Sequence, residues 1–334
     1  MRKGKLNVAL LTGGISEERK ISLQTGESVY NALLELGYSV RVIDPAMGKK
    51  QPDNANEIFS RLEISSSKNE FFAAFNNELF SDIDVVFNAM HGKYGEDGVT
   101  QILLELMGIS FVGTGSFGSM VGMDKWLSKL ALHDNGVKTP AGKLINPNDY
   151  EEKELGEWIN KFLGFPFIVK PSDQGSTIGL TLCETIDDLH DAITKAAIVS
   201  DRILIEEYIS GREFTAAFIG DKILPVLEII PHNKLYDYDA KYNSDSTEFI
   251  VPAKINSGTN NDLQELARKA FKAIGCLDYA RADFIISENG NIYCLEINTL
   301  PGMTSHSLVP KMAKASGIEF NELIDMLIQL PGQR

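Results

Sequence analysis

Near the end of the 334-residue chain, two apolar runs, Ala280 to Ile286 and Ile292 to Asn298, flank the short segment Ser287-Glu-Asn289-Gly290-Asn291. Asn-Gly between alternating apolar runs is a strong short-range hairpin signal, because both residues accept the positive φ that tight turns require. With Asn289 and Gly290 as the loop, Glu288 faces Asn291, and the same register sets Asp283 opposite Glu296 and Arg281 opposite Asn298. Residues two apart share a face, so Arg281, Asp283, Glu296 and Asn298 form one polar patch at the far end of an apolar hairpin. Two carboxylates and an amide oxygen are hard donors of the kind that hold Mg²⁺ against nucleotide phosphates. An ion pair of Arg281 with Asp283 or Glu296 is the alternative. It would leave one carboxylate beside another without a counter-charge, so metal binding is the favoured reading.

The N-terminal third follows a different pattern. Asn7 to Leu11 reads as a strand, Gly13-Gly14 as a turn, and Val29, Ala32, Leu33 and Leu36 as one face of a helix stopped by Gly37. Tyr38 to Ile43, Ile83 to Asn88 and Ile109 to Val112 are further apolar strands, with an amphipathic helix over 100–107. This β-α-β order predicts a small open parallel sheet, whose chemistry belongs at strand ends and the loops after them. The stretch Met1 to Leu11 is too short and lacks the cleavage pattern for a signal peptide, and is read as the first strand.

After a helix over Met123 to Asn135 the pattern turns hairpin-like, with strands at 167–170, 178–183, 203–208, 213–219 and 223–230. A polar aromatic stretch, Tyr236 to Glu248, precedes a helix whose face is Leu263, Leu266, Ala267, Ala270, Phe271 and Ile274, ended by Gly275. The loop Lys170 to Gly179 could close its backbone N–H groups around phosphate oxygens, with Lys170 adding charge, or be an ordinary polar turn.

Several other signals are set aside. Gly113-Thr-Gly115-Ser-Phe-Gly118 is formally a dinucleotide fingerprint, but no further strand with an acidic end succeeds the helix after it. Neither a P-loop nor a nucleophile elbow is present. Cys183, Cys276 and Cys294 suit buried thiols in a reducing cytoplasm. Among five histidines, only His91, after a strand end in the string His91-Gly-Lys-Tyr-Gly-Glu-Asp-Gly98, is a good site candidate. A net charge of −14 argues against an unassisted nucleic-acid or anionic-membrane surface, and no apolar run approaches a membrane span.

Taken together, six strings resemble the D-alanine:D-alanine ligases of the ATP-grasp superfamily. They are Gly13 to Ser22, His91 to Gly98, Met123-Asp-Lys125, Val169-Lys-Pro171 with Gly175-Ser176, Tyr236 to Tyr242, and Leu295 to Pro310. They span nearly the whole chain in family order. The resemblance implies an α/β (α+β) fold with three domains. These are a Rossmann-like open parallel sheet over 1–115, a central ATP-grasp subdomain over 116–208, and a C-terminal ATP-grasp subdomain over 209–334 carrying the metal site and a lid over 236–245.

It further implies that ATP phosphorylates the carboxylate of one D-alanine and that the amine of a second displaces phosphate, for peptidoglycan synthesis in the cytoplasm. Residue by residue, Lys125 and Lys170 would hold ATP phosphates, Glu206, Glu207, Tyr208 and Ile209 the adenine, and Glu213 the ribose. Asp283, Glu296 and Asn298 would hold two Mg²⁺, or Mn²⁺ in their place. Lys241 would reach the transferring phosphate. Glu18, with Ser176 and Tyr242, would hold the first D-alanine, and Arg281 the oxyanion. His91, Gly302, Ser307 and Leu308 would line the amino-acid site, with Ser307 and the backbone near Gly302 on the second carboxylate. A homodimer is expected, and no nucleic-acid or membrane partner. The chain departs from the family pattern at Glu207, where Lys is common, and at Leu300, where a small hydroxyl residue is frequent. A depsipeptide ligase using D-lactate is the runner-up activity.

Overall fold

A computed structural model describes residues 5–175, 177–231 and 247–333. The first sheet is three parallel strands in the order β2-β1-β3, with β1 at Asn7–Leu11, β2 at Ser39–Ile43 and β3 at Val85–Asn88. The helix Arg19–Glu35 returns from β1 to β2 and buries Leu23, Val29 and Leu33 in the core beside the sheet. The strand expected at Ile109 to Val112 is reduced to a single parallel bridge between Val86 and Phe111. The chain leaves the sheet there because Gly113 turns to a φ of 111° and donates its N–H to Asp278 Oδ2 at 2.7 Å.

Two antiparallel sheets complete the chain. One has the order β4-β7-β5-β6, from β4 (Gly142–Ile145), β5 (Phe167–Pro171), β6 (Thr181–Cys183) and β7 (Ile203–Glu207). The other has the order β11-β10-β8-β12-β13, with β9 (Lys222–Ile223) attached to β8 (Gly211–Ile219). Its remaining strands are β10 (Leu227–Ile230), β11 (Glu248–Ile250), β12 (Tyr279–Ser287) and β13 (Ile292–Asn298). The helix Ser257–Ile274 packs Leu263, Ala267, Ala270 and Phe271 against it and ends at left-handed Gly275, as the spacing predicts.

The helix expected over Met123 to Asn135 is present as Lys125–Asp134, starting two residues later than expected, and a separate helix, Ser116–Met123, precedes it. Asp124 breaks them, its backbone extended and its carboxylate accepting from Trp126 N and Leu127 N at 2.9 and 3.1 Å. The glycine string Gly113 to Gly118 serves the first helix as packing. A Cβ on Gly118 would fall 2.9 Å from the Ile274 carbonyl oxygen and 2.6 Å from Thr114 Cγ2. Backbone cannot retreat as a flexible side chain can. Gly118→Ala is therefore expected to destabilise the fold by about 1–3 kcal/mol, the usual cost of overpacking, read from the urea midpoint.

The hairpin keeps its predicted register at the far end but not near the turn. Arg281 pairs with Asn298 and Asp283 with Glu296, while Phe284 pairs with Cys294 and Ile286 with Ile292. Ser287 N donates to Asn291 O at 2.9 Å, so Glu288, Asn289 and Gly290 form a three-residue loop and Glu288 does not face Asn291. Gly290 takes the positive φ, 81°, that such loops need. A bulge at Leu295 then returns the register to the one the far end requires.

Candidate active site

The end of β5 and the residues after β7, on one side, and β8, β10, β12 and β13, on the other, enclose a cavity of about 350 Å³. Lys125, Lys170, Tyr208, Ile209 and Glu213 all line it, with Ile178, Leu180 and Ile229 among its apolar walls. Two lysines beside apolar walls suit a molecule with a flat ring and an anionic tail, and Arg212, Glu213, Glu228, Asp283 and Glu296 add charged groups to the lining. Glu206 and Glu207 do not line this cavity. Glu207 Oε2 lies 3.4 Å from Ala141 N, and buried Glu206 forms ion pairs with Lys170 and, at 2.8 Å, with Lys129. Burial alone would raise the Glu206 carboxyl, but the two ammonium groups overrule it and hold it at about 2.

A second cavity of about 840 Å³ opens between the first and third sheets. Glu18, His91, Glu96, Arg281, Asn298, Gly302, Ser307 and Leu308 line it. Glu18 stands at the N-terminus of the helix Arg19–Glu35, yet its side chain makes no capping bond with that helix. It faces Gly92 and Gly175 instead: added Cβ atoms on them would fall 2.7 and 3.6 Å from Glu18 Oε2. His91 lies 3.1 Å from Thr25 Oγ1, and burial pushes its pKa down to about 4, so it serves as a neutral hydrogen-bonding ring at physiological pH. Ser307 precedes the helix Leu308–Ala315, its Oγ accepting from Thr304 N at 3.1 Å. A helix N-terminus with a hydroxyl beside it is a ready carboxylate site.

Lys125 and Glu296 line both cavities and are 3.4 Å apart. The two cavities therefore meet at this pair. On the adjacent strand Arg281 holds Asp283 through two hydrogen bonds, Nε to Oδ1 at 2.9 Å and Nη2 to Oδ2 at 2.8 Å. The ion pair that competes with the metal reading is thus formed within β12, and Thr215 Oγ1 adds a 2.6 Å bond to Asp283. Asn298 Oδ1 accepts from Leu300 N at 2.9 Å. Among the described residues no cluster of three or more His, Cys, Asp or Glu stands in a metal-holding arrangement. Asp283 and Glu296 sit opposite each other on adjacent strands, with Asn298 two residues beyond Glu296, and as hard oxygen donors they suit a divalent cation in kind. Contrary to the expectation from sequence, each carboxylate already has a counter-charge, Arg281 for Asp283 and Lys125 for Glu296, which a cation would have to displace or share.

Ser176, Lys241, Tyr242 and the lid over 236–245 lie outside the described residues. The structure also brings in two groups that the sequence pattern did not single out. Lys129 sits four residues after Lys125 on one helix, and that spacing was the available signal. Glu96 accepts from Gly92 N at 2.6 Å, and burial first, then the Glu18 charge, pushes its carboxyl well above the usual range. Leu300, where the family pattern favours a small hydroxyl residue, is buried in the core.

Comparison with known proteins bears on both halves of this arrangement. A family model described as "D-ala D-ala ligase N-terminus" matches residues 7–114, and one described as "D-ala D-ala ligase C-terminus" matches residues 131–329. The D-alanine–D-alanine ligase of Burkholderia multivorans is 38% identical over 324 residues, covering 97% of this chain and 95% of the relative. That of Mannheimia succiniciproducens is 36% identical over 323 residues, covering 97% of each. Among solved structures, the VanG D-Ala:D-Ser ligase from Enterococcus faecalis superposes with a TM-score of 0.82 at 28% identity, covering 98% of this chain and 100% of that one. The D-alanine–D-alanine ligase from Bacillus anthracis complexed with ATP superposes at 0.78 with 30% identity, covering 99% and 98%. With the fold matched end to end and the family models covering both its halves, the chain belongs to the D-alanine–D-alanine ligase family.

Proposed function

We propose that this ATP-dependent ligase joins two D-alanines through an acyl phosphate, with the transfer occurring where Lys125 and Glu296 wall both cavities. That shared wall carries the reading, because a phosphoryl group must pass from nucleotide to carboxylate without entering solvent. Lys125 and Lys170 neutralise phosphate charge, while Tyr208, Ile209 and Glu213 seat the nucleoside. Asp283, Glu296 and Asn298 would hold Mg²⁺ or Mn²⁺, which when bound neutralises charge on the phosphates.

The carboxylate of the first D-alanine attacks the γ-phosphorus and ADP leaves. Glu18 holds that substrate's ammonium, and Arg281 faces the acyl oxygen, where negative charge grows as the second amine attacks and phosphate departs. The N–H groups of the helix starting at Leu308, with Ser307 and Gly302, take the second carboxylate. Domains over 1–115, 116–208 and 209–334 remain our division of the chain, with Lys241 assigned to the transferring phosphate and Ser176 and Tyr242 to the first D-alanine. An aromatic hydroxyl at Tyr242 favours an amine over D-lactate as second substrate.

We place this step of peptidoglycan synthesis in the cytoplasm; separately, no helix among the described residues is long and apolar enough to cross a membrane. A homodimer would cover exposed Ile102, Leu106, Phe117, Met120, Leu127 and Leu130 on three consecutive helices, and sedimentation of a monomer would refute it. For the activity, ADP release should require D-alanine, fail with L-alanine, and yield D-alanyl-D-alanine in preference to products from D-serine or D-lactate. ADP release indifferent to D-alanine would sink the reading.

A further inference from the structure

The helix Lys125–Asp134 carries two lysines one turn apart, and of the two only the first lines either cavity described above. Lys125 Nζ donates to Gln174 O at 2.7 Å and lies beside Glu296. Lys129 lines neither cavity, its side chain is 7% exposed, and its ammonium lies 2.8 Å from Glu206 Oε2. The other oxygen of the same carboxylate pairs with Lys170, whose side chain does reach the nucleotide cavity. Glu206 is thus shared between a lysine that meets the cavity and one that does not.

This sharing has an electrostatic consequence. A lone Lys170–Glu206 pair would be neutral and would draw the ammonium back toward the strand, whereas a second buried lysine leaves the group with a net charge of +1. Buried charge is tolerated only when paired, and here a third charge is retained beside the space that holds the anionic tail. The helix is fastened to the β5 end so that this geometry holds. Lys125 N donates to Ser172 O at 2.8 Å, Ser172 Oγ to Asp124 Oδ1 at 2.7 Å, and Arg202 Nε to Asp124 Oδ2 at 2.8 Å. Burial pushes the Lys129 ammonium down, and Glu206 opposes that shift.

We infer that Lys129 is a positioning residue for nucleotide binding: by sharing Glu206 it keeps Lys170 aimed at the phosphates and leaves its positive charge uncancelled. The inference rests on the proposal that Lys170 holds ATP phosphates, and it deepens that proposal.

The test uses the full chain and two readouts, the KM for ATP and the Kd for ADP by calorimetry, with the KM for D-alanine as reference. Lys129→Met should weaken both nucleotide values about tenfold or more, as expected when one charge is removed near a bound polyphosphate, while the D-alanine KM moves less than about twofold. Lys129→Arg, which keeps the charge, should restore nucleotide binding to within about threefold of wild type. The double variant Lys129→Met with Glu206→Gln again leaves Lys170 uncancelled, so it should bind ADP more tightly than Lys129→Met alone. A purely structural role predicts the reverse, because the double variant loses both partners. Equal ADP affinity in the single and double variants, weaker binding in the double, or wild-type values in Lys129→Met would each overturn the inference. Should Lys129→Met fail to fold, the arginine variant and the double variant against wild type decide: the first must stay within about threefold of wild-type ADP binding and the second must lose less than about tenfold. Lys170→Met separates the two levels. If it leaves ADP binding intact, the phosphate reading itself fails; if it weakens binding while Lys129→Met does not, only the role of Lys129 fails.

Discussion

Replacing Arg281 by methionine is expected to lower kcat by about 10²–10³, the usual loss when a fixed donor to a developing oxyanion is removed. The guanidinium lines the larger cavity, held by two bonds to Asp283, so its position costs no reorganisation when charge develops. The same pairing complicates the variant, because Asp283 is buried and loses its counter-charge, a change that destabilises folds by about 3–5 kcal/mol. Adding Asp283→Asn removes the stranded charge. The double variant should therefore melt closer to wild type than Arg281→Met does, with no recovery of kcat. Recovery of turnover along with stability would overturn both the oxyanion role of Arg281 and the metal role of Asp283.

Glu296→Gln should produce the second large effect, a loss of Mg²⁺-dependent turnover of about 10²–10³, since a metal contributes several kcal/mol of charge stabilisation. The substitution preserves shape and sits at a position more exposed than Asp283, so the melting temperature should change little. Its Mg²⁺ dependence would shift to higher concentration, and calorimetric binding of Mg²⁺ with ADP would weaken. An unchanged Mg²⁺ titration would remove Glu296 from the metal site.

The patch on the hairpin was legible because a strand has an exact side-chain period, so a register guessed from Asn289-Gly290 carries predictive weight several residues away. That guess reached the right pairing of Asp283 with Glu296 through a loop one residue too short and a bulge not foreseen. Each moves the register by one, in opposite directions. The first sheet was readable from its β-α-β order. Its expected strand at 109–112 depended instead on where the chain turns after Val112, and the long-range bond from Gly113 to Asp278 has no local signature. Glu18 was legible as an acid near a helix start, yet only the fold shows that it faces Gly92 and Gly175 rather than its own helix. Lys129 was illegible as a charged neighbour of Glu206 because 77 residues separate them, and helical spacing alone makes such a lysine look like surface.

The bulge at Leu295 does more than correct a register. On an unbroken β13, Leu295 would point into the core and Cys294 toward the nucleotide; the extra residue instead buries Cys294 and sets Leu295 beside Glu296 on the cavity wall. A greasy neighbour keeps bulk water from crowding that carboxylate, and in a less polarisable surrounding the pull between an anionic ligand and its cation is stronger at the same distance. Flattening this one kink would leave every acidic residue in the sequence and still dilute, with water and a thiol, the field in which the phosphoryl group must move.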